Sequence, residues 1–148
     1  MKKIILLFTF LFTLFISPSI AQKPALNHIA HYIYDLQRST AFYTQVIGLD
    51  TIPEPFHDGK HTWLSIGDKM HLHLIQGAGK PETHDKNSHI CFTVASVEQF
   101  IKTLKHEGIA FEDWAGTPGA ITHRVDGVLQ IYFKDPDGYW IEVNDARQ

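Results

Sequence analysis

The chain is poor in cysteine, in excess charge and in long apolar runs. Cys91 is its single cysteine among 148 residues. No intrachain disulfide can form, so stability has to come from a packed core. Lysine and arginine together number 13 against 16 acidic residues, with no basic stripe. A mildly acidic chain of this kind is not built for nucleic acid. The only long apolar run covers residues 4–16. It is short for a bilayer span and the right length for the core of a signal peptide. Lys2 and Lys3 precede it, Pro18 breaks it, and Ser19, Ile20 and Ala21 lead to a cleavage point. The pattern predicts a signal peptide over residues 1–21, cut after Ala21, and a periplasmic or secreted product with no membrane contact after cleavage. A lipid anchor would need a cysteine just past the cut, and Gln22 stands there. Removing 21 of the 148 residues leaves 127, and losing Lys2 and Lys3 takes the formal net charge from −3 to −5. Residues 22–148 are enough for one domain with a real core.

What the sequence has in quantity is histidine, ten in all. Imidazole is the commonest protein metal ligand. His57, His61, His84 and His106 lie in polar stretches and carry no expected role.

The order of elements repeats. "LNHIAHYIY" reads as a strand, and "DLQRSTAFYTQVIGL" as a helix with Asp35 as N-cap and Gly48 as its stop. "DTIPEPF", "HTWLSIG" and "MHLHLIQ" then read as strands, with turns at Asp58-Gly59 and Gly67-Asp68. After a polar loop the pattern restarts. "SHICFTV" is a strand, and "ASVEQFIKTLKHEGI" is a helix capped by Ser96 and stopped at Gly108. "AFEDW", "ITHRV", "VLQIYF" and "YWIEVN" follow, with "KDPDG" as a tight turn before the last. The expected fold is α+β: two βαβββ modules, about 26–77 and about 87–145, forming a curved mixed sheet around a metal cup.

Aligning the two halves puts His28 over His89 on the first strands and His73 over Glu142 on the fourth. An internal twofold would bring the four side chains together. Three imidazoles and a carboxylate suit one divalent ion of zinc, nickel, cobalt, iron or manganese. In "HLHLIQ", His71 and His73 share a strand face, so His71 falls close to the same point. Cys91 would share the face of His89, whereas His31 would point away from His28.

"HIAHYIYDLQRSTAFYTQVIGLD", "HICFTV" and above all "YFKDPDGYWIEV" give the chain its resemblance to the vicinal oxygen chelate superfamily. That group includes glyoxalase I, fosfomycin-resistance transferases, extradiol dioxygenases and bleomycin-binding proteins. The resemblance implies that His28, His89 and Glu142 are metal ligands and that His73 stands where glyoxalase I has a second glutamate. It implies a metal-dependent lyase or isomerase acting on a small vicinal-oxygen substrate by Lewis-acid stabilisation of an enediolate, with Glu142 as ligand and proton carrier. An asparagine that helps hold glutathione in glyoxalase I is replaced by Gly77, which counts against glutathione here. The other readings are a metal-dependent dioxygenase, an antibiotic-modifying transferase, or a non-catalytic antibiotic-binding protein. The resemblance also allows a homodimer with ligands from both chains. Arg124 reads as an unpaired cation for a substrate carboxylate or phosphate, and Trp140 and His71 as further substrate contacts.

Overall fold

The computed structural model describes residues 23–147, so the predicted leader lies outside the described residues. The first module contains β1 (His28–Ile33), α1 (Leu36–Ala41), β2 (Thr51–Ile52), β3 (His61–Ser65) and β4 (His71–Gln76). The second contains β5 (His89–Thr93), α2 (Val97–His106), β6 (Phe111–Glu112), β7 (Thr122–His123), β8 (Leu129–Lys134) and β9 (Trp140–Asn144). Each module forms its own mixed sheet, ordered β1-β4-β3-β2 and β5-β9-β8-β6, with β7 on β8. The α+β class and the doubled unit are as expected, but the modules keep two sheets where one continuous sheet was predicted. A cavity of about 310 Å³, lined in part by Ala30, His89 and Tyr139, lies between the β1 and β5 edges.

The caps behave as their chemistry requires. The Asp35 side chain accepts the Arg38 N–H, and the Ser96 hydroxyl accepts that of Gln99. The first helix is not uniform: past α1 the chain widens into a π-helical turn over Phe42–Ile47, ended by Gly48 at φ 85°. β2 is much shorter than "DTIPEPF" suggested, because Pro53 and Pro55 cannot donate to a ladder. No described helix is long and apolar enough to cross a membrane.

Alternation along the strands gives each sheet a core side and a second side. Leu72 and Leu74 of β4, Ile131 and Phe133 of β8, and Ile141 and Val143 of β9 join Ile33, Phe42, Val97 and Leu104 in one core that spans both modules. The ring centroids of Phe42 and Phe133 are 6.4 Å apart across the junction. The polar strand residues lie on the opposite side of each sheet.

The β8–β9 turn ties the modules together. Asp137 Oδ1 accepts the Tyr34 N–H at 2.6 Å, and Oδ2 accepts the Ser39 hydroxyl at 2.5 Å. Asp135 Oδ2 accepts the Tyr43 hydroxyl at 2.8 Å, while Oδ1 accepts the N–H groups of Asp137 and Tyr139. Tyr43 gives its one proton to Asp135, so its oxygen accepts from His31 Nδ1 at 3.1 Å. Tyr139 is stacked between His31 at 3.8 Å and His84 at 3.9 Å, centroid to centroid. Gly138 has φ 92°, and a Cβ there would sit 1.9 Å from the Glu82 carbonyl oxygen, so only glycine closes this turn against the linker.

Asp137→Ala should orphan two donors at the junction and cost about 3 kcal/mol in chemical denaturation, as hydrogen bonds to a charged group do; an unchanged midpoint would refute the clamp. Burial, then the neighbouring Asp135 carboxylate, push the Tyr43 phenol well above its ordinary value. A raised folded value means that stability from this group is complete below about pH 10 and is lost as pH rises beyond it. Tyrosinate absorbance should show late-titrating phenols, one of which Tyr43→Phe removes, and a variant curve matching wild type would contradict this.

Candidate metal centre

The parallel pairing of first and fourth strands sets the geometry. In module one, His28 lies opposite His71 and Ala30 opposite His73. In module two, His89 lies opposite Trp140 and Cys91 opposite Glu142. The register is the same in both, so the sequence alignment of His28 with His89 and of His73 with Glu142 holds in three dimensions.

The structure brings these residues together in two pairs. His28 and His73 stack with centroids 4.2 Å apart and planes 7° apart. His89 Nε2 is 3.2 Å from Glu142 Oε2. The pairs stay separate, and among the described residues no group of three or more His, Cys, Asp or Glu side chains could hold an ion. The predicted single cup is therefore not assembled within one chain: each pair belongs to its own sheet.

Each pair has atoms able to bind a cation. His73 is buried, and its Nε2 has no hydrogen-bond partner. Burial, with the neighbouring His28, His71 and His61 adding to it, holds its imidazole below the usual value. It is thus neutral near pH 7 and in the form that binds metals. Trp63, directly opposite on β3, stacks on it at 4.1 Å with planes 1° apart. His89 directs Nδ1 at the Lys86 carbonyl at 2.7 Å. A carbonyl can only accept, so Nδ1 carries a proton and Nε2 is the ring atom turned to the Glu142 carboxylate. Nε2 and Oε2 at this distance hold a proton or a cation between them. The donor set therefore fits a divalent ion.

Glu142 is heavily braced. Tyr132 donates to Oε2 at 2.7 Å, and Asn144 and Cys91 donate to Oε1 at 2.9 and 3.4 Å. Burial pushes the carboxyl upward, but the donors from Tyr132, Asn144 and Cys91 together with His89 outweigh it and hold the group below its ordinary value. Burial, then the Glu142 charge, push the Cys91 thiol up to about 12. Tyr132, raised by burial and by its bond to Glu142, stays protonated.

The remaining predicted residues are placed differently. Arg124 is not unpaired: its Nη2 lies 2.5 Å from Asp126 Oδ2, two residues along the same turn, and this corrects the expectation of a free cation. Trp140 commits its indole N–H to the His84 carbonyl at 3.0 Å, with Lys86 and Lys134 over its ring. His71 lies 6.0 Å from His73, ring to ring. Tyr132, Gln130, Asn144 and Trp63 were missed as supports of the ligands. Counting back from the "KDPDG" turn pairs Lys134 with Trp140, hence Tyr132 with Glu142 and Gln130 with Asn144, so the signal was present for three of them.

Although Cys91 is exposed, its native thiolate fraction at pH 8 should be at least ~100-fold below that of an ordinary cysteine. Alkylation should be correspondingly slow, recover on unfolding, and speed up in Glu142→Gln. Fast native labelling would contradict the Glu142–Cys91 contact.

The family model for the Glyoxalase/Bleomycin resistance protein/Dioxygenase superfamily matches residues 25–143. Glyoxylase I 4 of Arabidopsis thaliana is 31% identical over 127 residues, covering 80% of this chain and 69% of its own. Mitochondrial methylmalonyl-CoA epimerase of Mus musculus is 27% identical over 132 residues, covering 82% and 72%. Among solved structures, the fosfomycin resistance protein FosX from Listeria monocytogenes shares the fold at TM-score 0.68 and 22% identity, over 85% of this chain and 96% of that one. With the doubled module, the shared register and this match in hand, the chain belongs to the glyoxalase/bleomycin resistance/dioxygenase superfamily.

Proposed function

We propose that the chain is an exported, metal-dependent enzyme of lyase or isomerase type, acting on a small substrate with two neighbouring oxygens. The observation that carries this reading is the pair of half-sites: the orphaned Nε2 of His73 beside His28, and His89 Nε2 facing Glu142. His28, His73, His89 and Glu142 would hold one divalent ion of zinc, nickel, cobalt, iron or manganese. When bound, the ion supplies Lewis-acid polarisation of the substrate oxygens. Glu142 starts deprotonated, since its hydrogen bonds hold it low, and is the one carboxylate of the set. In this reading it takes a proton from one carbon and returns it to the next. His71 and Trp140 flank the ligands as substrate contacts, and Arg124 acts only after leaving Asp126.

Because the two pairs sit apart in one chain, the reading includes a homodimer in which His28 and His73 of one copy meet His89 and Glu142 of a second. Aromatic groups at the rim of each half-site support it. Phe56, 58% exposed, packs on His61 and Trp63, and Trp114, 47% exposed, packs on Tyr132. The relatives named glyoxylase and epimerase favour proton movement next to a carbonyl. Gly77 weighs against a glutathione carrier, because the Tyr32 phenol lies 2.5 Å from where a side chain would begin.

Purified mature protein should be dimeric by light scattering and bind one divalent ion per site by metal analysis. His73→Ala should lose the ion, and Glu142→Ala should lose turnover in a reconstitution screen with α-oxoaldehyde hemithioacetals, catechols and fosfomycin. Protein that takes up no metal and tightly binds a large planar drug would instead be an antibiotic binder.

A further inference from the structure

The duplication extends one strand beyond the ligands. On β3, Trp63 lies directly opposite His73, and on β8, Tyr132 lies directly opposite Glu142. The same position in each module thus carries an aromatic side chain that touches the fourth-strand ligand. In module one the contact is a flat stack, 4.1 Å and 1°. In module two it is a hydrogen bond from the phenol to Oε2, 2.7 Å. The difference follows the ligand: an imidazole is held in plane by a ring lying over it, and a carboxylate by a proton donated to one oxygen.

Resting on the metal reading above, we propose that Trp63 and Tyr132 are matched positioning residues, one for each fourth-strand ligand, and that Gln130 sets the orientation of Tyr132. A phenol has one proton to give. Tyr132 gives it to Glu142, so its oxygen must accept, and Gln130 Nε2 supplies the donor at 2.5 Å. Tyr132 and Gln130 are 2% and 8% exposed, so water does not compete for these bonds. The carboxylate is then fixed from both ends, by Tyr132 at Oε2 and by Asn144 at Oε1. Rotation would break both bonds together. One Oε2 lone pair is spent on Tyr132 and the other is left toward His89. Trp63 plays the parallel part: its ring fixes the His73 plane, so the unpartnered Nε2 keeps one direction. Supports that fix ligand orientation raise metal affinity without touching the ion.

The test uses Co2+ alone, read by calorimetry and by its visible spectrum, on full-length mature protein. Tyr132→Phe keeps the ring and removes only the donor. It should weaken Co2+ binding about 10–100-fold and shift the absorption bands. Trp63→Leu should weaken binding in the same range, and Gln130→Leu less, in the same direction. The melting temperature of metal-free protein is followed in parallel, since a purely structural role lowers it and leaves affinity and spectrum unmoved. Wild type that binds Co2+, with all three variants binding equally well and with the same bands, overturns the positioning roles alone. Wild type that binds no Co2+ overturns the metal reading, and the positioning roles with it.

Discussion

The molecule is organised by two buried carboxylates in one turn. Asp135 and Asp137 sit between β8 and β9 of the second module, yet most of what they hold belongs to the first: the Tyr34 amide, the Ser39 hydroxyl and the Tyr43 phenol. A buried carboxylate is tolerated only when its oxygens are fully used, and here they are. The junction and the shared apolar core together occupy the helix side of both sheets. The candidate ligands lie on the other side, where strand alternation delivers His28, His73, His89 and Glu142.

That division explains why equal registers do not make one site. Within a module, neighbouring strands force the first- and fourth-strand residues side by side. Between modules, nothing in the ladders dictates where the two polar sides lie. The clamp and the shared core fix the junction, and among the described residues of one chain no three ligand-type side chains gather. A superfamily whose members share a fold and differ in reaction is consistent with this economy, since the site can change while the junction stays.

Much of this was legible in the chain and some was not, for physical reasons. Side-chain period two placed His28, His73, His89 and Glu142 on the correct faces, and the caps at Asp35 and Ser96 followed from their hydroxyl and carboxylate chemistry. Strand lengths were overread where Pro53 and Pro55 end the ladder. His31 points away from His28, as strand alternation requires, but its stack on Tyr139 depends on docking between modules, which no local pattern encodes. Arg124 looked free because its partner, Asp126, lies across a turn whose closure is a three-dimensional fact. The separation of the two half-sites was invisible for the same reason: periodicity reports a face and says nothing of the angle between sheets.

The lone thiol of this protein has a quiet consequence. An exposed cysteine without a mate is open to oxidants and to capture by other chains. Both fates begin with the thiolate. By placing Cys91 against a carboxylate already committed as an anion, the fold keeps sulfur in its inert protonated form. The arrangement that braces Glu142 thereby guards the protein against unwanted cross-linking.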